Sequence, residues 1–265
     1  MYPFTLERPL SLAEAQRRAA AGAQPLAGGQ TLLASMKLRL SAPEQLLDLG
    51  GIAELAGIRR EGDAFVIGAM TRHADVAADA AVQRDFPALA GLAGSIGDRQ
   101  VRAMGTLGGS VANNDPAACY PSAVLGGGAT VVTTQREIAA DDFFTGLFST
   151  ALEPGELITA IRFPVPQRAA YEKLRQPASH FPLAGVFVAQ YPGGVRVAIT
   201  GAGNGVFRHA GLEAALSSRF APESVEGVAV DYSGFGSDLH ASAEYRAHLV
   251  GVLARRAVAR ALDAG

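Results

Sequence analysis

Gly105-Thr-Leu-Gly-Gly-Ser-Val-Ala-Asn-Asn-Asp-Pro-Ala-Ala-Cys-Tyr-Pro121 is the stretch on which the reading of this chain turns. Gly108 and Gly109 carry no Cβ, so the backbone there can take positive φ and lie against a ligand. Thr106 and Ser110 bracket the pair with hydroxyls, and Asn113, Asn114 and Asp115 follow with amide and carboxylate groups. Successive backbone N–H groups in such a turn form a concavity that holds anions, phosphate among them. Taken alone, the stretch reads more simply as a tight polar turn closed by Asp115-Pro116. A second stretch of the same kind weighs against that. The apolar run Gln24-Pro-Leu-Ala27 enters Gly28-Gly29-Gln30-Thr31, and Leu32 to Leu40 follows with Lys37 and Arg39 among apolar residues. The order is strand, Gly-Gly turn, hydroxyl, then a segment whose N–H groups can face an anion.

The 31 glycines of this 265-residue chain fall in short clusters inside apolar segments, which points to tight turns between strands. A net charge of −2 provides no basic field for nucleic acid, so any phosphate site is local. Cys119 is the single cysteine, which excludes an internal disulfide and any four-cysteine zinc or iron–sulfur site. His73, His180, His209, His240 and His248 show no metal-ligand spacing, and neither a nucleophile elbow nor a P-loop occurs. The first residues form no secretory signal and no apolar run reaches membrane-spanning length, so a cytoplasmic location is expected. Two hydroxyl-flanked Gly-Gly turns without a catalytic constellation indicate a protein that holds a cofactor and lets it do the chemistry.

Along the chain, Ser11-Leu-Ala-Glu14 is a capping box for a helix to Ala21 that Gly22 ends. Leu46–Leu49 reads as a strand, and residues 57–68 as a hairpin around Glu61-Gly62-Asp63. Thr71 is expected to cap a helix to Ala78, with His73 solvated or capping, and Phe86–Gly94 reads as another helix. Arg99 and Arg102 read as phosphate contacts or, more simply, as a solvated face, and the second reading is preferred. Strands are expected at Ala129–Thr133, Arg136–Ala139 and Glu156–Phe163, with a loop at Asp141–Gly146. Pro164-Val-Pro166 marks a boundary. Beyond it come three strands, Tyr171–Arg175, Leu183–Ala189 and Val195–Thr200. Gly201–Gly205 reads as a strand-end turn, lacking dinucleotide-loop spacing. His240–Leu262 reads as a helix packing Tyr245, Leu249, Val252, Leu253 and Ala257 on that sheet, with Arg246, Arg255 and Arg260 solvated or interfacial.

Ala27-Gly-Gly-Gln-Thr31 with Met36-Lys-Leu-Arg39, then Arg102 and Thr106-Leu-Gly-Gly-Ser110, resembles the FAD-binding medium subunit of molybdenum hydroxylases. Tyr171-Glu-Lys173, Gln176–Phe181 and Ala243–Leu249 resemble its carbon monoxide dehydrogenase-type members. The resemblance implies an α+β fold: a two-lobed, PCMH-type FAD-binding domain over 1–168, with lobes 1–55 and 56–168. A small domain over 169–265, a three-stranded sheet plus helices, would follow. It implies that Ala27, Gly28, Gly29, Gln30, Thr31 and Leu32, with Thr106, Leu107, Gly108, Gly109 and Ser110, hold the FAD pyrophosphate region. Ile158 and Lys173 would contact the flavin end and Phe181 would stack near the ring. Cys119 stands where the family usually has an acid toward the cofactor's sugar portion. His180 replaces a common acid or arginine, and Ala103 a frequent asparagine. The implied role is electron transfer from a [2Fe–2S] small subunit through FAD to an external acceptor, with a molybdenum-cofactor large subunit oxidising substrate, in a dimer of heterotrimers. A flavin-free structural subunit and a self-sufficient FAD oxidase are the alternatives.

Overall fold

Ser11 accepts a hydrogen bond from the Glu14 N–H at 3.3 Å, and the helix it caps, Leu12–Ala20, stops before Gly22 at φ +99°. In the computed structural model, which describes residues 1–263, this helix packs Ala15 into a small core with Leu47, Leu49 and Leu55. That core sits on the first sheet, in which Gln45–Asp48 runs parallel to Thr5–Glu7 on one side and Gln24–Leu26 on the other. The last two residues of the expected 169–265 unit lie outside the described residues.

The second sheet is antiparallel, in the order Ile58–Glu61, Ala64–Gly68, Ile158–Pro164, Thr130–Thr133 and Glu137–Ala139. Its hairpin turns at Gly62, whose φ of +61° suits a residue without a side chain. Helices including Pro87–Gly94, Arg99–Met104, Leu107–Asn113 and Tyr120–Gly126 cover it around Phe65, Phe86, Tyr120, Phe143 and Phe163.

Several local expectations change here. The Gly-rich stretch is no turn: Thr106 accepts from the Gly109 N–H, and Leu107–Asn113 is helical up to a left-handed Asn114. A good cap outweighs two glycines when the first turn is packed. Thr71 does not cap a helix, because its hydroxyl is spent on the Gly57 backbone and His73–Ala78 begins after Arg72. His73 is buried, not solvated. The expected loop at 141–146 is a short helix, Ala140–Phe143, followed by a strand, Phe144–Gly146, paired with Ser149–Thr150.

The third sheet has four strands, where three were expected: Arg168–Arg175, Pro182–Tyr191, Gly194–Thr200 and the two-residue Phe207–Arg208. Strand periodicity gives it two apolar faces. Tyr171, Phe187, Ala189 and Ala198 join the core of the second sheet. Val186, Val188, Val197 and Ile199 face the helix Ala243–Asp263. That helix buries Leu249, Val250, Leu253, Ala254, Ala257 and Val258, while Tyr245 is exposed and Val252 half-buried. The stripe is thus rotated from the expected one, and Arg246 lies on its buried side. The Arg246 guanidinium donates to the Leu183 and Gly201 carbonyls at 2.6 and 2.7 Å and to Asp238 at 2.8 Å.

Removing that guanidinium strands two carbonyls and a carboxylate. Arg246→Met is expected to cost about 2–3 kcal/mol. Arg255→Met, which breaks an exposed 3.4 Å pair with Glu226, should cost under about 1 kcal/mol. Urea denaturation of both variants measures the difference.

Candidate functional site

A cleft of about 670 Å³ lies between the first sheet's loops, the helices of the second sheet and the near edge of the third. Ala27, Gly28, Gly29, Gln30, Thr31, Leu32, Thr106, Gly108, Gly109, Ser110, Cys119, Ile158, Lys173 and Phe181 all line it. Leu107 does not: its side chain is fully buried in the core, and its N–H donates to the Thr71 carbonyl at 3.0 Å.

The two glycine loops meet each other. A Cβ on Gly28 would strike the carbonyl oxygen of Met104 and stand 2.7 Å from the Gly105 Cα. One on Gly109 would be 2.9 Å from Thr106 Oγ1 and 3.2 Å from the Ala27 Cβ. Gly108 is pressed on Ala69, where a Cβ would come within 2.8 Å of the backbone oxygen. Glycine is needed here for backbone-to-backbone approach as much as for any ligand.

The backbone donors are divided unevenly between the loops. Leu107 and Gly108 give their N–H groups to the Thr71 and Ala69 carbonyls, Gly109 to Thr106 Oγ1, and Ser110 to the Thr106 carbonyl. The N–H groups of Gly29, Gln30, Thr31 and Leu32 donate to no acceptor among the described residues, and Thr31 makes no capping bond. The free donors for an anion are therefore concentrated in the first loop, at the start of Leu32–Lys37. The second loop supplies the wall.

At the other end, Lys173 Nζ donates to the Ser95 carbonyl at 2.9 Å and the His180 carbonyl at 2.8 Å, and lies 3.3 Å from Cys119 Sγ. Arg102, expected on a solvated face, donates to the Ile96 and Gly97 carbonyls at 2.8 and 3.1 Å. His180 Nδ1 is 2.9 Å from the same Gly97 oxygen. Three side chains thus pin the Ser95–Gly97 turn, and Ile96 and Gly97 line the cleft. Sequence pattern gave no sign of that turn's role beyond the glycine, which sits at φ +49°.

Two further buried polar residues shape the walls. His73 lines the cleft, its ring 5.2 Å from that of Tyr120. Burial, with Arg102 nearby, lowers its pKa to about 4, so its imidazole is neutral at pH 7. Glu156 accepts from Thr133 at 2.7 Å, Arg136 at 3.1 and 3.2 Å and the Glu153 N–H at 2.8 Å. Burial alone would raise its pKa, but these bonds outweigh it and hold the carboxyl below its ordinary range. Glu156 anchors the turn that delivers Ile158 to the cleft.

This geometry is that of a cleft which offers free backbone donors at one end and a lysine with an aromatic ring at the other. Residues 2–166 match the family described as the FAD binding domain in molybdopterin dehydrogenase. The carbon monoxide dehydrogenase medium chain of Afipia carboxidovorans is 37% identical across 97% of this chain and 96% of that one. The glyceraldehyde dehydrogenase medium chain of Sulfolobus acidocaldarius is 36% identical over 71% of each chain. The structure of reconstituted CO dehydrogenase from Oligotropha carboxidovorans superposes with a TM-score of 0.93 at 35% identity, covering 100% of both chains. The chain belongs to the FAD-binding medium subunits of the molybdenum hydroxylase family.

The residues present fit FAD: unspent N–H donors and a hydroxyl face one end, and a lysine, a thiol and an aromatic ring face the other. Among the described residues no group of His, Cys, Asp and Glu is placed to hold a metal ion.

Gly28→Ala is expected to force the two glycine loops apart and reduce FAD uptake at least about tenfold while the circular dichroism spectrum stays native. Unchanged FAD titration in this variant would show that the loop contact does not shape the site. The Glu156 carboxyl, depressed in the folded state, contributes stability above the unfolded carboxyl range and loses it as pH falls through the folded value. Melting curves of the wild type and Glu156→Gln should therefore differ most near neutrality and converge in acid.

Proposed function

We propose that this subunit binds FAD non-covalently in the cleft and passes electrons from a [2Fe–2S] partner subunit to an external acceptor, while a molybdenum-cofactor large subunit oxidises the substrate. The observation that carries this reading is one cleft lined by both glycine motifs, Ile158, Lys173 and Phe181. Bound flavin supplies the exchange between one-electron and two-electron transfer. Every other part of the task falls to the chain. The free N–H groups of Gly29 to Leu32 and the Thr31 hydroxyl bind the pyrophosphate. Ile158 and Phe181 exclude water from the ring end. Lys173, held by two carbonyls, places its Nζ where it favours negative charge on a reduced ring.

The single cysteine cannot ligate an iron–sulfur cluster, so the cluster belongs to another chain. In this reading residues 1–168 form the FAD-binding domain, Lys173 and Phe181 reach its cleft from the domain that follows, and the assembly is a cytoplasmic dimer of heterotrimers. No helix among the described residues is long and apolar enough to cross a membrane. The medium chains similar to this one are named for carbon monoxide and glyceraldehyde dehydrogenases, so the cleft does not select the substrate.

Cys119, in place of the family's usual acid, supports a second reading, a structural subunit that has lost its flavin. An absorbance spectrum of the purified chain with and without FAD decides between them. Acid-releasable flavin is the expected result; a chain that stays colourless with added FAD favours the structural reading. Cys119→Asp places a carboxylate beside the Lys173 ammonium and should leave FAD binding equal or tighter, read by fluorescence titration.

A further inference from the structure

Among the described residues, four other than glycine have positive φ: Arg39, Asn114, Phe148 and His180. For a bulky side chain such a conformation costs energy and persists only where the surroundings impose it. Phe148 is the extreme case. It has φ +50°, is 58% exposed, and turns the hairpin between Phe144–Gly146 and Ser149–Thr150. Core packing does not explain a phenyl ring held there.

The hairpin is held from beneath. Asn114 is fully buried, and its side-chain amide donates to the Gly146 carbonyl at 2.9 Å and the Ser149 carbonyl at 2.7 Å, one on each strand. Asn114 itself is left-handed, at φ +42°, and ends the helix of the second glycine motif. The strained turn is thus coupled to the loop that walls the cleft. Phe148 lines that cleft, and it and Phe181 are the only phenyl rings that do so among the described residues.

We propose that Phe148 is a second aromatic platform of the cofactor cleft, presented by the Asn114-clamped hairpin to stack on a heteroaromatic ring of the bound dinucleotide. This rests on the FAD reading. The ring face has two sources in that ligand, the isoalloxazine and the adenine, and both offer the same stacking chemistry.

The test is fluorescence and calorimetric titration of the full chain with FAD, FMN and ADP. Phe148→Ala and Phe148→Leu should each weaken FAD about tenfold, while Phe148→Tyr should bind like the wild type. Weakened FMN assigns the stack to the isoalloxazine, and weakened ADP assigns it to the adenine. Phe148→Gly should weaken FAD equally yet melt no lower than the wild type without FAD, because glycine relieves the strained φ. Wild-type affinity in Phe148→Ala or Phe148→Leu would overturn the platform and leave the FAD reading standing. A wild-type chain that takes up no FAD would overturn both.

Discussion

The close approach of two backbone loops underlies the site. Gly28 lies against the backbone of Met104 and Gly105 at separations that admit no Cβ, and a Cβ on Gly109 would stand tight, at 3.2 Å, against that of Ala27. The first loop leaves the three-stranded sheet, while the second begins a helix on the five-stranded sheet. Their contact therefore fixes how the two sheets face each other and how wide the cleft between them is. It also explains the division of donors. A loop whose N–H groups are spent on Thr71 and Ala69 makes a rigid wall, and the loop packed on it keeps its own N–H groups free. One rigid side and one donating side suit a site that must fix an anionic ligand without reorganising.

The third sheet closes the other end by lending a face to a core it does not own. Phe187 packs its ring 6.3 Å from Phe86, and Tyr171, Ala189 and Ala198 join the same cluster. Lys173, two residues on from Tyr171 and on the same face of the strand, thereby reaches Ser95, Cys119 and His180. Apolar packing thus positions a charged group by register, since a one-residue slip would turn Lys173 away from the cleft.

Much of this was legible in the sequence, and the reason differs by element. The Ser11 capping box, the Gly62 hairpin and the alternating strands are signals written within a few residues, and each element stands close to its expected range. Arg102, Arg246, His73 and Glu156 were misread or missed. Their partners lie in other elements: Arg246 bonds a carbonyl 63 residues away, and Glu156 a hydroxyl 23 residues away. A charged residue in a periodic pattern reads as solvated because no local rule tells which carbonyls will surround it. The stripe of the Ala243–Asp263 helix rotated for the same reason: Arg246 is buried on the Leu183 and Gly201 carbonyls, and Tyr245, which periodicity placed on the apolar face, is exposed.

Backbone strain adds a kind of signal that no pattern of residue types contains. Asn114, Phe148 and His180 take left-handed conformations, and each is tied to the cleft wall: Asn114 to the hairpin, Phe148 to the lining, His180 to the Gly97 carbonyl. Glycine fills other such positions at Gly22, Gly62 and Gly201, asparagine tolerates them, and Arg39 takes one outside the cleft lining; a phenylalanine has no such tolerance. Side chains kept there at a cost indicate that what they reach matters more than the strain they carry. The cleft is thus marked twice, by glycines where backbones must touch and by strained side chains where rings and amides must point.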